Sequence, residues 1–346
     1  MNPILIFIGF MLVTANTCYA TKKPMFTAML VFGDSTVDPG NNNFVLTAFK
    51  SNHRPYGQDF PSGIPTGRFS NGLLIPDMLA SSFGIKEFVP PYLDPSLSDD
   101  DLRTGVSFAS AGSGLDELTT AFSGVIPVAK QVTYFKEYKE RLTDAFGEEE
   151  ANRIINGAFV MISAGSNDIV FNFYNTKSRK IQMSLTEYHD FLLVRLERLV
   201  KELHGLGCRT FVVSGLGPLG CVPIQITAKG SEGRKCLEKH NSETQMYNAK
   251  LKNLVTRLPT MLSGSNVTYV NTYDGVIKMI QNPQQYGFVE TNKGCCGTGL
   301  VEMGPLCNAF SPVCSNPSEY LFWDGIHPSE AAYKFAAKAL YTQLRV

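Results

Sequence analysis

The chain carries no excess of either charge: 31 basic residues stand against 31 acidic ones among 346, for a formal net charge of zero. No Lys/Arg cluster breaks that balance, so there is no electrostatic footprint for nucleic acid or for an anionic membrane surface. Small molecules or neutral polymers are the expected partners. Beyond residue 20 no apolar run approaches the ~20 residues of a membrane-spanning helix, which argues against stable membrane insertion. There is no internal repeat and no low-complexity linker. With 44% apolar and 18% charged residues, the composition also excludes a disordered chain.

The cysteines lack a C-x-x-C pair. Cys295-Cys296, Cys307 and Cys314 are spaced as CC, a gap, then C-x6-C, so a zinc site is not expected, and no other cofactor is implied. What the cysteines do suggest follows from the N-terminus. Met1 to Ala20 holds an apolar run from Ile4 to Val13 and ends in Cys18-Tyr19-Ala20, the pattern of a secretory signal peptide. Its first residues include no Lys or Arg, so an uncleaved apolar anchor is the alternative. Cleavage would leave residues 21–346, read as one domain although length alone would allow two. In an oxidising compartment the seven remaining cysteines should form disulfides. Cys208 enters the strand-like run RTFVVS and is expected to be the unpaired one, a small buried hydrophobe. Cys221, Cys236, Cys295, Cys296, Cys307 and Cys314 then allow fifteen pairings. Asn266-Val267-Thr268 is an acceptor sequon for N-glycosylation.

Short apolar runs alternate with longer helical patterns, the rhythm of an α/β fold. Ala28 to Phe32, Ala158 to Ser163, Thr210 to Ser214 and Val267 to Asn271 are too continuously apolar or β-branched for half-exposed edges, and read as buried parallel strands. Leu192, Leu196, Leu199 and Leu203 recur at helical spacing, as do Tyr247, Leu251, Leu254 and Leu258; these helices would cover the sheet. The Pro/Gly-rich stretch from Pro55 to Gly72 reads as a long surface loop.

In an open parallel sheet, ligands bind beyond the carboxyl ends of the strands. The first strand runs into Gly33-Asp34-Ser35, Val106 to Ala109 runs into Ser110-Ala111-Gly112, and FVMISA runs into Gly165-Ser166-Asn167-Asp168. One rim would thus offer a hydroxyl, a glycine N–H and an amide. A serine hydroxyl needs a base to become a nucleophile. His53, His189, His204 and His240 lie in polar loops or helical stretches without an orienting motif and read as solvated surface residues. His327 differs, because Asp324 precedes it by three residues across a glycine-containing turn. That spacing lets the carboxylate reach one imidazole nitrogen and leaves the other to face a serine. Pro328 and the residues after it then open a C-terminal helix.

The blocks FGDSTVDPGNN, ASAGSG, AGSND and DGIHP, in that order, resemble blocks I, II, III and V of the GDSL esterase/lipases, the SGNH hydrolases. The GRFSNG, KGCCGTG and FWDGIHP segments resemble the plant-type members. The resemblance spans most of the chain after residue 20. It implies a flavodoxin-like three-layer α/β/α sandwich around a central parallel sheet. It also implies Ser35 as nucleophile, Asp324 and His327 as its acid-base partners, and an oxyanion hole from the Ser35 N–H, Gly112 and Asn167. The expected reaction is hydrolysis of a small-molecule, lipid or polymer acyl ester through an acyl-enzyme, outside the cell and, by the plant likeness, in the apoplast or wall. Two positions depart from the family's pattern: Thr36 replaces a leucine, and Ser107 replaces an asparagine, which leaves the anchoring of the block II loop open.

Three further patterns bear on function. Gly215-Leu216-Gly217-Pro218-Leu219-Gly220 is a literal G-x-G-x-x-G after a strand, but Cys221-Val222-Pro223 continues it without a convincing helix to receive a pyrophosphate. It reads as a rim loop pinned by a Cys221–Cys236 bond. The absence of a G-x-S-x-G elbow argues against an α/β-hydrolase. Acyl transfer to a polymer hydroxyl and a dormant site on a secreted binding protein are the alternatives to hydrolysis.

Overall fold

Five-residue apolar runs bury both faces of a strand, and the four found here pair side by side. In the computed structural model, which describes residues 24–344 apart from 122 and 231, β1 (Met29–Gly33), β2 (Phe159–Ser163), β3 (Thr210–Ser214) and β4 (Asn266–Val270) form one sheet in that order. All three pairings are parallel, with Met29 opposite Phe159, Phe159 opposite Thr210, and Thr210 opposite Asn266. On the outer side of β1, residues 104–110 run alongside, linked by Val31 N–H to Val106 O, Phe108 N–H to Val31 O and Ser110 N–H to Gly33 O. Counting that segment, the spatial order is second, first, third, fourth, fifth, the flavodoxin-like arrangement.

Alternation along the strands sorts the core into two layers. Leu30, Phe32, Val160, Ile162, Phe211 and Val213 face one side. There they meet the apolar stripes of helices Val128–Phe146, Glu148–Asn156, Leu185–Gly205 and Glu238–Met261. Met29, Val31, Phe159, Met161 and Val212 face the other, against Leu79 and Ala80 of helix Ile75–Ser82 and Leu340 of helix Glu330–Leu344. The result is the three-layer α/β/α sandwich. The Leu185 helix starts on a reciprocal cap in which Ser184 and Glu187 satisfy each other's backbone N–H. The signal-peptide reading of residues 1–20 lies outside the described residues.

Several local readings are corrected. A second, two-stranded parallel sheet joins β5 (Glu290–Gly294) to β6 (Tyr320–Phe322); β5, ETNKG, is too polar to announce itself. Pro55 to Gly72 is a loop whose middle is exposed, as at Gln58, Pro61, Ser62 and Ile64, but whose ends are not on the surface: Tyr56 and Phe69 are buried, and Arg68 forms a buried two-point ion pair with Asp77. The G-x-G-x-x-G loop is followed by a helix after all, Pro223–Ala228. That helix begins beyond the last glycine, at a proline that lacks an N–H. His189 is fully buried, its ring edge-on to Tyr247, and His240 is half-buried and stacked on Tyr174.

The six cysteines pair as Cys221–Cys236, Cys295–Cys314 and Cys296–Cys307, and Cys208 is buried and free. Among the described residues no helix is long and apolar enough to cross a membrane, and no group of three His, Cys, Asp or Glu side chains could hold a metal ion.

Candidate active site

Ser35 follows β1 through a turn that only glycine can begin. Gly33 has φ of +139°, and a Cβ there would collide with the Ser163 carbonyl of β2. The turn is clamped from below by the fully buried Gln131, whose amide accepts from Gly33 N–H and donates to Gly33 O, each at 2.8 Å. Asp34 stabilises the same turn by accepting the Thr36 N–H at 3.0 Å and the Thr36 hydroxyl at 2.8 Å. Burial raises the Asp34 pKa above its ordinary value despite these donors. The Thr36 hydroxyl also meets Ser163 Oγ at 3.0 Å, so the threonine gives the turn a bond to β2 that a leucine could not make.

His327 arrives from the opposite end of the chain. β6 ends at Phe322, and the next residues fold back so that Trp323 N–H donates to His327 O at 2.8 Å. Inside this turn Asp324 Oδ1 accepts the N–H groups of Ile326 and His327 at 2.8 and 2.7 Å. His327 Nδ1 lies 2.7 Å from Asp324 Oδ2 and 2.9 Å from Oδ1, and Nε2 lies 2.9 Å from Ser35 Oγ. With Nδ1 held between two carboxylate oxygens, the proton belongs there, and Nε2 is left as the acceptor of the serine hydroxyl. Ser35, His327 and Asp324 are 7%, 4% and 0% exposed, so solvent access falls from the serine to the carboxylate.

The loops from the second and third positions of the sheet converge on Ser35. The segment DPGNN after the serine turns out to be a staple. Asp38 accepts Ala111 N–H at 2.9 Å, Asn41 donates to the carbonyls of Ser107 and Ala109 at 2.8 Å each, and Asn42 donates to Ala111 O at 2.9 Å. Ser107 itself donates to Val37 O and accepts Ala109 N–H. The block II loop is therefore anchored without the asparagine. Desolvation pushes the Asp38 carboxyl up to about 6 even so. Gly112, with φ of +84°, turns the loop over the site.

Asn167 stands at the entry of a π-helical turn, Asp168–Asn175, yet its side chain does not cap it. The amide donates instead to Ser113 O at 2.9 Å, which leaves a second N–H of the same group available. Asp168 ties that turn to the block II loop by accepting the N–H groups of Leu115 and Asp116 and the Thr119 hydroxyl. Burial raises its carboxyl to about 7. No internal hydrogen bond is made by the backbone N–H of Ser35 or of Gly112 among the described residues.

Two apolar hollows meet at Ser35. The larger, about 340 Å³, lies under Phe49, Gly112, Phe69, the 303–306 loop and His327. The smaller, about 150 Å³, opens on the other side over Met161, Leu216, Val276, Phe322 and Tyr333. Asn167 and Ile326 border both.

Residues 29–340 match the family described as GDSL-like lipase/acylhydrolase. The chain belongs to that family. Among curated proteins it is similar to the Arabidopsis thaliana GDSL esterase/lipase At2g31540, 51% identical over 329 residues that cover 94% of this chain and 91% of the relative. It is likewise similar to At2g30220, 48% identical over 98% of this chain and 96% of the relative, and to At1g06990, 46% identical over 97% of each, both GDSL esterase/lipases of the same plant. The family's reaction class makes this chain a carboxylic ester hydrolase.

Within this GDSL-family chain, Ser35, Gly112, Asn167, Asp324 and His327 come together at one place, and Cys221–Cys236 pins the G-x-G-x-x-G loop at the rim of the smaller hollow. Asn266 is exposed at the start of β4, at the far end of the sheet from the site. Sequence reasoning missed Tyr56, whose hydroxyl donates to Asp324 Oδ2 at 2.7 Å, and Phe69, whose ring lies 4.8 Å from that of His327. It also missed Gln131. A buried-looking aromatic inside GRFSNG was the only available signal for Phe69; Gln131 offered none.

Proposed function

We propose that this protein is a secreted serine esterase or lipase in which Ser35, His327 and Asp324 form the catalytic triad. His327 Nε2 removes the Ser35 proton as Oγ attacks the ester carbonyl carbon. The oxyanion is received by the N–H groups of Ser35 and Gly112 and by the Asn167 amide. His327 then returns the proton to the leaving alcohol, and an acyl-enzyme remains. Water attacks it by the same route, with His327 again as base, and releases the acid. The observation that carries this reading is the continuous path Ser35 Oγ, His327 Nε2, Nδ1, Asp324, with steps of 2.9 and 2.7 Å. Two backbone N–H groups left without internal partners beside the hydroxyl support the oxyanion assignment.

The apolar hollows suit a lipid or a small acyl ester. Three disulfides fit an oxidising compartment, and with the leader-like N-terminus they support export. The exposed Asn266 sequon then becomes a glycosylation site. The decisive experiment is mass-spectrometric mapping of a fluorophosphonate probe on the secreted protein. Labelling on Ser35 that disappears in His327→Ala is expected; a folded wild-type protein that takes no label would demote Ser35 to a turn hydroxyl.

A further inference from the structure

We infer that the two hollows divide the ester between them, the acyl chain entering the smaller one and the alcohol portion the larger, and that the acyl chain is short. The inference rests on the reading of Ser35 as nucleophile and extends it to substrate selection.

The argument is one of elimination around a tetrahedral carbon. Once Ser35 Oγ has bonded to the carbonyl carbon, three substituents remain. The oxyanion points to Gly112 and Asn167, and Gly112 lines only the larger hollow. The alkoxy oxygen must lie within hydrogen-bond reach of His327 Nε2, which gives it the proton as the C–O bond breaks. His327 too lines only the larger hollow. Oxyanion and alcohol therefore share that side. The acyl carbon chain is left with the other direction, over Asn167 and Ile326, into the space bounded by Met161, Leu216, Val276, Phe322 and Tyr333. The surface these side chains expose to the hollow is mainly apolar, although Ser163, Ser214 and Thr272 also border it and the Tyr333 hydroxyl is buried without a hydrogen-bond partner, so a hydrocarbon chain is the matching occupant.

Size sets the chain length. The acyl hollow is about 150 Å³, against roughly 300–1,000 Å³ for sites that hold drug-sized ligands. A long fatty-acyl chain would have to leave it through its open side and lie in water, without apolar cover. The larger hollow, about 340 Å³ and roofed by Gly304, Pro305 and Leu306, leaves room for a bulkier alcohol. Short-chain esters of large alcohols are thus the favoured class.

The test is the ratio of kcat/KM for 4-nitrophenyl hexanoate to that for the acetate, with the dodecanoate as the long-chain limit. For the wild type, dodecanoate should trail the best short ester by at least about tenfold, since each methylene that a pocket cannot hold changes discrimination by roughly that factor. Val276→Trp, which fills the smaller hollow, should lower the hexanoate-to-acetate ratio about tenfold, and Val276→Ala should raise it. Leu306→Trp should leave that ratio alone and shift preference between 4-nitrophenyl and 4-methylumbelliferyl acetate instead. The opposite pattern, or ratios that neither position moves, overturns the assignment. Fluorophosphonate labelling separates the two levels: a labelled Ser35 with unmoved ratios fails only this inference, whereas an unlabelled Ser35 fails the reading beneath it.

Discussion

Tyr56→Phe removes one oxygen atom and should reveal how far the triad depends on a residue 268 positions away in the chain. The Tyr56 ring is fully buried between Phe69 and Trp323. Its hydroxyl donates to Asp324 Oδ2 and accepts the Gly304 N–H, both at 2.7 Å. Burial and the neighbouring carboxylate hold its pKa well above the ordinary value, so it stays protonated, and a donor, at any working pH. Phenylalanine fits the same space but breaks both bonds. A hydrogen bond to a charged acceptor contributes about 1.5–3 kcal/mol, and an orphaned buried N–H costs about 1–3 kcal/mol. Taken toward the lower end of the two ranges summed, the loss is roughly 3 kcal/mol.

For a chain of this size, with an unfolding entropy of about 2.1 cal/mol/K per residue, that corresponds to a Tm lower by roughly 4–5 °C. Turnover should fall only about tenfold, because Asp324 keeps the N–H groups of Ile326 and His327 and so continues to orient the ring. Asp324→Asn, by contrast, should cost about 10⁴-fold. Thermal unfolding and 4-nitrophenyl acetate turnover measure both effects. In the double variant the Tyr56 contribution to turnover should shrink, since its partner charge is gone. A Tm within about 2 °C of wild type, or turnover losses that simply multiply in the double variant, would refute the proposed brace on Asp324.

Asn167→Ala should lower kcat by ~100 to 1,000-fold, the usual loss of one oxyanion donor, with little change in Tm; activity within about threefold of wild type would remove Asn167 from that role. Thiol titration of the unfolded, unreduced secreted protein should find a single free thiol, Cys208, which reacts in the fold only on unfolding because burial raises its pKa to about 12; three or more free thiols would contradict the bonding pattern. His189 is buried beside Lys250 with its pKa lowered to about 4, so its neutral form is needed for folding. The unfolded residue titrates near 6.5, so stability is fully present above that value and declines as pH falls toward 4, by at most about 3 kcal/mol. His189→Leu should flatten that acid limb in urea titrations at successive pH values, and an unchanged limb would assign the loss elsewhere. Asp168 acts in the other sense: its carboxyl is raised to about 7, so stability present below the unfolded value near 4 is lost as pH rises through 7. Asp168→Asn should remove that alkaline decline.

How much of this was legible depended on the range of the contact involved. The four strands were readable to within a residue because fully buried parallel strands need continuous apolar runs, and the helices because their leucines repeat at helical spacing. The convergence of Ser35, Gly112 and Asn167 was readable because a parallel sheet delivers strand ends to one rim, and the Asp324–His327 contact because three residues of turn suffice for it. The β5 strand was not readable, since its residues are polar and its partner lies 30 positions on. Nor was His189, whose helix looks amphipathic until Tyr247 is packed against it.

The braces form the largest illegible class, and they share a physical character. Tyr56 on Asp324, Gln131 on Gly33 and Asp168 on the 115–119 turn each join segments between 49 and 268 residues apart through one or two polar atoms. Such atoms leave no periodicity, and the residue types involved are common on surfaces. Yet each meets a position beside the site: the carboxylate behind the imidazole, the glycine before Ser35, and the turn that follows the Gly112 loop. The disulfides extend the same logic, because Cys295 and Cys296 donate their N–H groups to Phe322 and Trp323, directly before Asp324. The Cys295–Cys314 and Cys296–Cys307 bonds therefore form a frame that is hydrogen-bonded to the residues before Asp324 and, through Cys307, directly follows the 303–306 loop over the larger hollow. Reduction of these two bonds should consequently slow 4-nitrophenyl acetate turnover before far-UV circular dichroism reports loss of the sheet, because neither bond includes a residue of β1 to β4; simultaneous loss of both signals would refute this.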